Sequence, residues 1–138
     1  MRRIVLAIAA LLTPLAAQAA DLRVEITGVQ GDANTVRVVL YNSAETFRHE
    51  AQAVKVLDLP ATPGTVVGSF DGIPAGRYAI LAYHDENGNG KFDMMLGMFP
   101  AEGWGLSNDP TIIGPPSFDD SAFDVIEPGG GVSVALHY

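Results

Sequence analysis

The chain has 138 residues, sixteen Asp and Glu against eight Lys and Arg, and a formal net charge of −8. That balance argues against nucleic acid and anionic lipid surfaces as partners and suits a binder of cations. With no cysteine anywhere, the fold is held by its core, with a bound metal as the one available staple.

Arg2 and Arg3 precede an apolar run over residues 4–16 and the small-x-small triplet Ala17-Gln18-Ala19. The segment reads as a secretory signal peptide, residues 1–19, cleaved after Ala19; the run is short for a spanning helix. Cleavage removes two basic residues and no acidic one, taking the net charge to −10. Residues 20–138 then form one domain, exported to the periplasm or secreted, with no later apolar run long enough to span a membrane as a helix.

Residues 22–28 alternate apolar and polar, as a half-buried strand does. A turn cluster leads into a second strand over residues 35–41 with Val36, Val38 and Leu40 inward. Ser43 is placed to cap a helical turn that anchors through Phe47. Short strands follow over residues 53–57 and 65–70, bounded by Pro60 and Pro63. Residues 77–83 are the strongest strand, rich in aromatic and aliphatic side chains. The last two are residues 122–126 and 132–138, joined by a turn at Pro128-Gly129-Gly130-Gly131. Seven short strands with turn signals and no long amphipathic helix predict an all-β sandwich.

The fifth strand ends on Asp85-Glu86-Asn87-Gly88-Asn89-Gly90-Lys91-Phe92-Asp93. Side-chain oxygens fall at alternate positions (Asp85, Asn87, Asn89), glycine at the sixth and Asp93 at the ninth, the start of a calcium loop of the EF-hand kind. A hard cation takes oxygen ligands, and glycine at the sixth position permits the sharp turn around it. The Lys91 carbonyl supplies the seventh position. The twelfth, where a bidentate carboxylate belongs, is Leu96. Glu102 is the candidate for the missing carboxylate, ahead of Asp109, Asp119 and Asp120, with Glu86 directed to solvent. The competing reading is an Asn/Gly hairpin whose side chains bond their own backbone.

Residues 84–121 show no clear strand or helix, yet carry Phe92, three of the four methionines and the single tryptophan, Trp104. A segment that long and that apolar is read as an ordered cap over one end of the sandwich. His84 with Met94, Met95 and Met98 has the ligand types of a Cu(I) site, but methionine more often fills irregular apolar gaps. His84, Asp85 and Ser107 have the types of a triad, with no nucleophile-elbow sequence around Ser107. The alternating residues before Tyr138 match the closing strand of an outer-membrane barrel, against which stand the odd strand count and the long cap.

Four blocks together resemble domain-of-unknown-function family 2141: Gly76-Arg77-Tyr78; the loop from His84 to Asp93; the segment from Gly97 through Pro100, Glu102, Gly103 and Gly105 to Ser107-Asn108; and Gly114-Pro115-Pro116 with Phe118. The resemblance implies a small exported bacterial protein and no particular activity. Pro74-Ala75-Gly76-Arg77-Tyr78 resembles the turn into a strand of transthyretin-like sandwiches. The loop is similar to calcium-binding repeats of bacterial adhesins, which have an acid where Leu96 stands. The expected fold is thus a seven-stranded, prealbumin-like β-sandwich with a long ordered loop between strands 5 and 6.

The expected function is a non-enzymatic binding or interaction module for a protein or carbohydrate partner, stabilised by Ca²⁺ at Asp85, Asn87, Asn89, Lys91, Asp93 and Glu102. The alternative is an enzyme or a carrier of a small ligand or carbohydrate, using a cleft under the cap near His84 and Trp104.

Overall fold

A computed structural model describes residues 20–126 and 129–138; the expected signal peptide and Pro128 of the expected last turn lie outside them. The chain is all-β. In order it forms β1 (Ala20–Val29), β2 (Thr35–Tyr41), a 3₁₀ turn (Glu50–Gln52), β3 (Lys55–Pro60), β4 (Gly64–Ile73) and β5 (Gly76–Asp85). The short β6 (Met94–Met95), β7 (Phe99–Pro100) and β8 (Trp104–Leu106) follow, then a single helical turn α1 (Phe118–Ser121), β9 (Phe123–Val125) and β10 (Gly129–Ala135).

Two sheets carry the fold. One has the order β10-β1-β4, with β1 and β10 parallel and β1 and β4 antiparallel. The other has the order β3-β2-β5-β8, and β9 pairs the start of β5. Alternation along β1 turns Leu22, Val24 and Ile26 inward, where they meet Val36, Val38 and Leu40 of β2 and Ile80 and Ala82 of β5 in one core. The two sheets are therefore packed face to face, in a sandwich-like arrangement. Leu57 and Leu59 reach across from β3 to Gly68 of β4, where a Cβ would come within 2.6 Å of the Leu59 side chain.

β5 explains why the chain reads as it does at its centre. From Tyr78 to Asp85 every residue is buried, because both faces of this strand are covered. The second face packs Ala79, Leu81 and Tyr83 with Val39, Tyr41, Phe47, Leu106 and Phe118. Phe47 and Phe118 meet edge to face, and Phe92 stacks on Tyr83 at 5.0 Å between ring centroids. Ser43 caps the turn that delivers Phe47, its hydroxyl accepting the Thr46 N–H.

Several expectations are corrected. There are ten strands among the described residues, not seven, and the three additional ones lie in residues 84–121. That segment is not without regular structure: β8 extends the larger sheet beside β5, β6 and β7 form a hairpin, and Ser117 caps α1. Two- and three-residue strands leave no periodic signature, which is why the sequence hides them. The third strand runs from Lys55, not residue 53, and keeps Pro60 at its end, which an edge strand permits. The last strand begins at Gly129 and ends at Ala135, so Gly129-Gly130-Gly131 are ladder residues against Asp21, Leu22 and Arg23 rather than a turn. No described helix is long and apolar enough to cross a membrane.

Candidate functional site

β5 delivers Asp85 at its buried end, and the chain then turns through Gly88 and Gly90, both at φ +69°. The Asp85 carboxylate gathers the turn: Oδ1 accepts the Asn89 N–H at 3.2 Å and Oδ2 the Gly90 N–H at 2.8 Å. Asn87 Oδ1 accepts the Asn89 N–H at 3.2 Å, and Asn89 Oδ1 accepts the Lys91 N–H at 2.9 Å. These are the local Asx bonds of the competing hairpin reading. The far ends of the same amides do something else. Asn87 Nδ2 donates to Asp93 Oδ2 at 2.8 Å, and Asn89 Nδ2 donates to both Asp93 oxygens at 2.8 and 2.9 Å. Those bonds hold the Asp93 carboxyl below the usual carboxylate range, Asn89 first and Asn87 second.

Backbone pairing brings Glu102 to this loop. Ala101 N–H donates to the Asp93 carbonyl at 2.9 Å and His84 N–H to the Gly103 carbonyl at 2.8 Å. Glu102, between those two anchors, turns its side chain to the loop, where Oε2 accepts the Asp93 N–H at 3.3 Å. Only 8% of the residue is exposed, and Oε1 is buried with no hydrogen-bond partner. Burial pushes the Glu102 carboxyl up to about 7; the charges of Asp93 and Asp85 add to the rise and the Asp93 N–H opposes it. Three carboxylates and two carboxamides thus join one hydrogen-bonded turn. Leu96 is directed away from it, 86% exposed. Among the described residues no three His, Asp or Glu side chains stand together as a metal-ligand cluster. The donor set is all oxygen, which fits a hard cation once the two amides rotate to present Oδ1.

His84 and Trp104 sit apart from this set and from each other. His84 is fully buried; Nε2 is 2.8 Å from the Ala33 carbonyl and Nδ1 2.8 Å from the Tyr138 hydroxyl. A carbonyl only accepts, so Nε2 carries the proton and Nδ1 accepts from Tyr138, whose oxygen in turn accepts the Gln30 N–H at 3.0 Å. The imidazole locks the C-terminal residue onto the sheet. Glu86 is closer than its expected solvent direction implies, 3.6 Å from His84 Nδ1, though about half exposed. Trp104 pairs with Tyr83, the neighbour of His84, and packs against Phe92 on the opposite face. Ser107 is buried, donating to the Ser121 carbonyl and accepting the Ile80 N–H. Both groups are thus occupied with structural bonds, and Met94, Met95 and Met98 are exposed rather than gathered round His84.

Two further features carry no signal in the sequence. His137 Nε2 lies 2.7 Å from Asp109 Oδ1, beside a concavity of about 320 Å³ lined also by Trp104, Leu106, Thr111 and Ile112. A second concavity of about 470 Å³ runs from Arg37, Arg48 and Glu50 to Lys91 and Phe92. Each joins residues far apart in the chain, and neither composition nor spacing marks such meetings.

Comparison with curated proteins and with solved structures gave no match. Residues 24–131 match the profile of a bacterial family described as "Uncharacterized protein conserved in bacteria". That span runs from within β1 to within β10 and includes the loop after β5, and the chain is a member of domain-of-unknown-function family 2141.

Proposed function

We propose that this is an exported, non-enzymatic interaction module whose cap is fixed by a calcium-type cation at the end of β5. The observation that carries the reading is Glu102: a carboxylate with a buried, unpartnered oxygen beside Asp85 and Asp93. Such a group is costly as it stands and is relieved by a cation, which supplies the missing charge and the missing partner. Asp85, Asp93 and Glu102 would bind it as carboxylates, Asn87 and Asn89 through Oδ1, and Lys91 through its carbonyl. The cation would tie the end of β5 to the base of the β6–β7 hairpin, so that the cap presents a fixed surface. The face-to-face sheets and the Pro74-Ala75-Gly76-Arg77-Tyr78 entry into β5 support a prealbumin-like reading of the sandwich.

The test is a thermal melt in chelator and in millimolar calcium. A site filled only in the folded state adds about 2.7 kcal/mol at a hundredfold excess over its dissociation constant, on the order of 10 °C for a domain of this size. Asp85→Ala should abolish the shift. No shift in the wild-type protein would leave the loop as a hairpin held by Asx turns.

A second reading has its own observation. Trp104 and the His137–Asp109 pair line one concavity, an indole beside polar groups that suits a sugar or small polar ligand. It replaces His84 by His137 in the carrier alternative. A change in Trp104 fluorescence across a panel of monosaccharides, lost in His137→Ala, would favour it.

A further inference from the structure

The β6–β7 hairpin breaks two rules at once. Met94, Met95, Leu96, Met98 and Phe99 are exposed by 43, 56, 86, 71 and 56%. Exposure rises to Leu96 and falls again, so the hairpin projects as a wedge. At its tip Met98 N–H bonds the Met95 carbonyl at 3.2 Å, and the two residues between, Leu96 and Gly97, have φ of +54° and +67°. Two positive φ values in succession are those of a type I′ turn, for which Asn-Gly is the favoured pair. Leucine here carries the cost of a left-handed backbone and the cost of an exposed side chain, with no packing in return. Local rules broken without an internal gain mark functional positions.

The geometry points to a lipid surface as the occupant of this wedge, entered by the side chains of Met95, Leu96, Met98 and Phe99. The inference rests on the cap being a contact surface, not on the cation. Three observations favour lipid over another protein. Between Asp93 and Glu102 no side chain is charged or carries a hydroxyl or amide, whereas protein interfaces carry a direct hydrogen bond for about every 100–200 Å². The wedge offers five apolar side chains, far fewer than the roughly 20–30 residues per side of a standard interface, a second copy included. Its turn and its base are bonded internally, at Met98 to Met95 and Ala101 to Asp93, as a segment entering hydrocarbon needs. The acidic residues at its root, Asp93 and Glu102, repel anionic headgroups, so insertion into zwitterionic lipid is favoured and calcium should extend it to anionic lipid.

The full chain carries an apolar stretch near its N-terminus that would itself meet vesicles, so the readout must be local. Oxidation of Met94, Met95 and Met98 by dilute peroxide is followed by peptide mass spectrometry, with and without phosphatidylcholine vesicles. Vesicles should slow oxidation of Met95 and Met98 at least threefold. Leu96→Asn should remove most of that protection while the melting temperature stays level or rises, since Asn suits the turn better than Leu. Equal rates with and without vesicles would overturn the inference, and so would full protection in Leu96→Asn. Protection that grows with protein concentration and needs no vesicles would give the wedge to a second copy instead. The measurement is repeated in chelator and in calcium with phosphatidylglycerol added. Lipid protection without a calcium-dependent melt would sink the cation reading alone; a calcium-dependent melt without protection would sink only the lipid inference.

Discussion

Replacing Glu102 by glutamine separates the cost of the buried carboxylate from its use. Burial pushes the folded carboxyl up to about 7, against about 4.3 in the unfolded chain. The folded state therefore holds the proton more tightly, and Glu102 contributes stability that is complete below the unfolded value and lost as pH rises through about 7. At about 1.36 kcal/mol per unit, the full difference is about 4 kcal/mol. Glutamine keeps the shape of the neutral acid and cannot ionise. In chelator, Glu102→Gln should exceed the wild-type protein by about 1 kcal/mol at pH 5 and by about 4 kcal/mol at pH 8. Denaturant melts at a series of pH values measure this directly. Millimolar calcium should reverse the order at pH 8, because the wild-type carboxylate is then neutralised and glutamine offers one uncharged oxygen. Parallel pH profiles for the two proteins would refute the desolvation argument. Equal calcium stabilisation would refute the role of Glu102 as a ligand.

Asp93 runs the other way: held low by Asn89 and Asn87, it contributes stability present above its unfolded value and lost on acidification, so Asn89→Ala should steepen as a destabilisation from low to neutral pH in chelator melts. Tyr138→Phe removes the hydroxyl between Gln30 N–H and His84 Nδ1, which should cost about 1–3 kcal/mol by denaturant titration. Gly103→Ala puts a Cβ within 2.3 Å of the Tyr138 ring; the ring must leave, and a loss of about 1–3 kcal/mol is expected. Gly105→Ala meets the Ala135 carbonyl at 1.9 Å, where backbone must move, so its loss should exceed that of Gly103→Ala.

Particular residues show how far the sequence reaches. Leu22, Val24 and Ile26 alternate, and alternation is a local property, so β1 is legible before any contact is known. The same holds for β2, for the buried run of β5, and for the Asp85-x-Asn87-x-Asn89-Gly90 spacing, because backbone bonds within a turn are local too. Glu102, the candidate for the missing carboxylate, reaches the loop through the pairing of Ala101 with Asp93. His84 and Trp104, expected beside one cleft, are separated by the pleat of the sheet. Facing residues of a sheet alternate, and Trp104 lies opposite Tyr83, so the two point apart.

What the chain determined alone is its periodicity, its turns and the chemistry of its loop, all set by neighbours a few residues apart. What tertiary structure decided is which distant groups meet: β10 parallel to β1, Tyr138 on His84, His137 on Asp109, and the short β8 that forms only because β5 offers it an edge. Long-range meetings depend on how whole sheets pack, and a strand of three residues has too little pattern of its own to announce its partner.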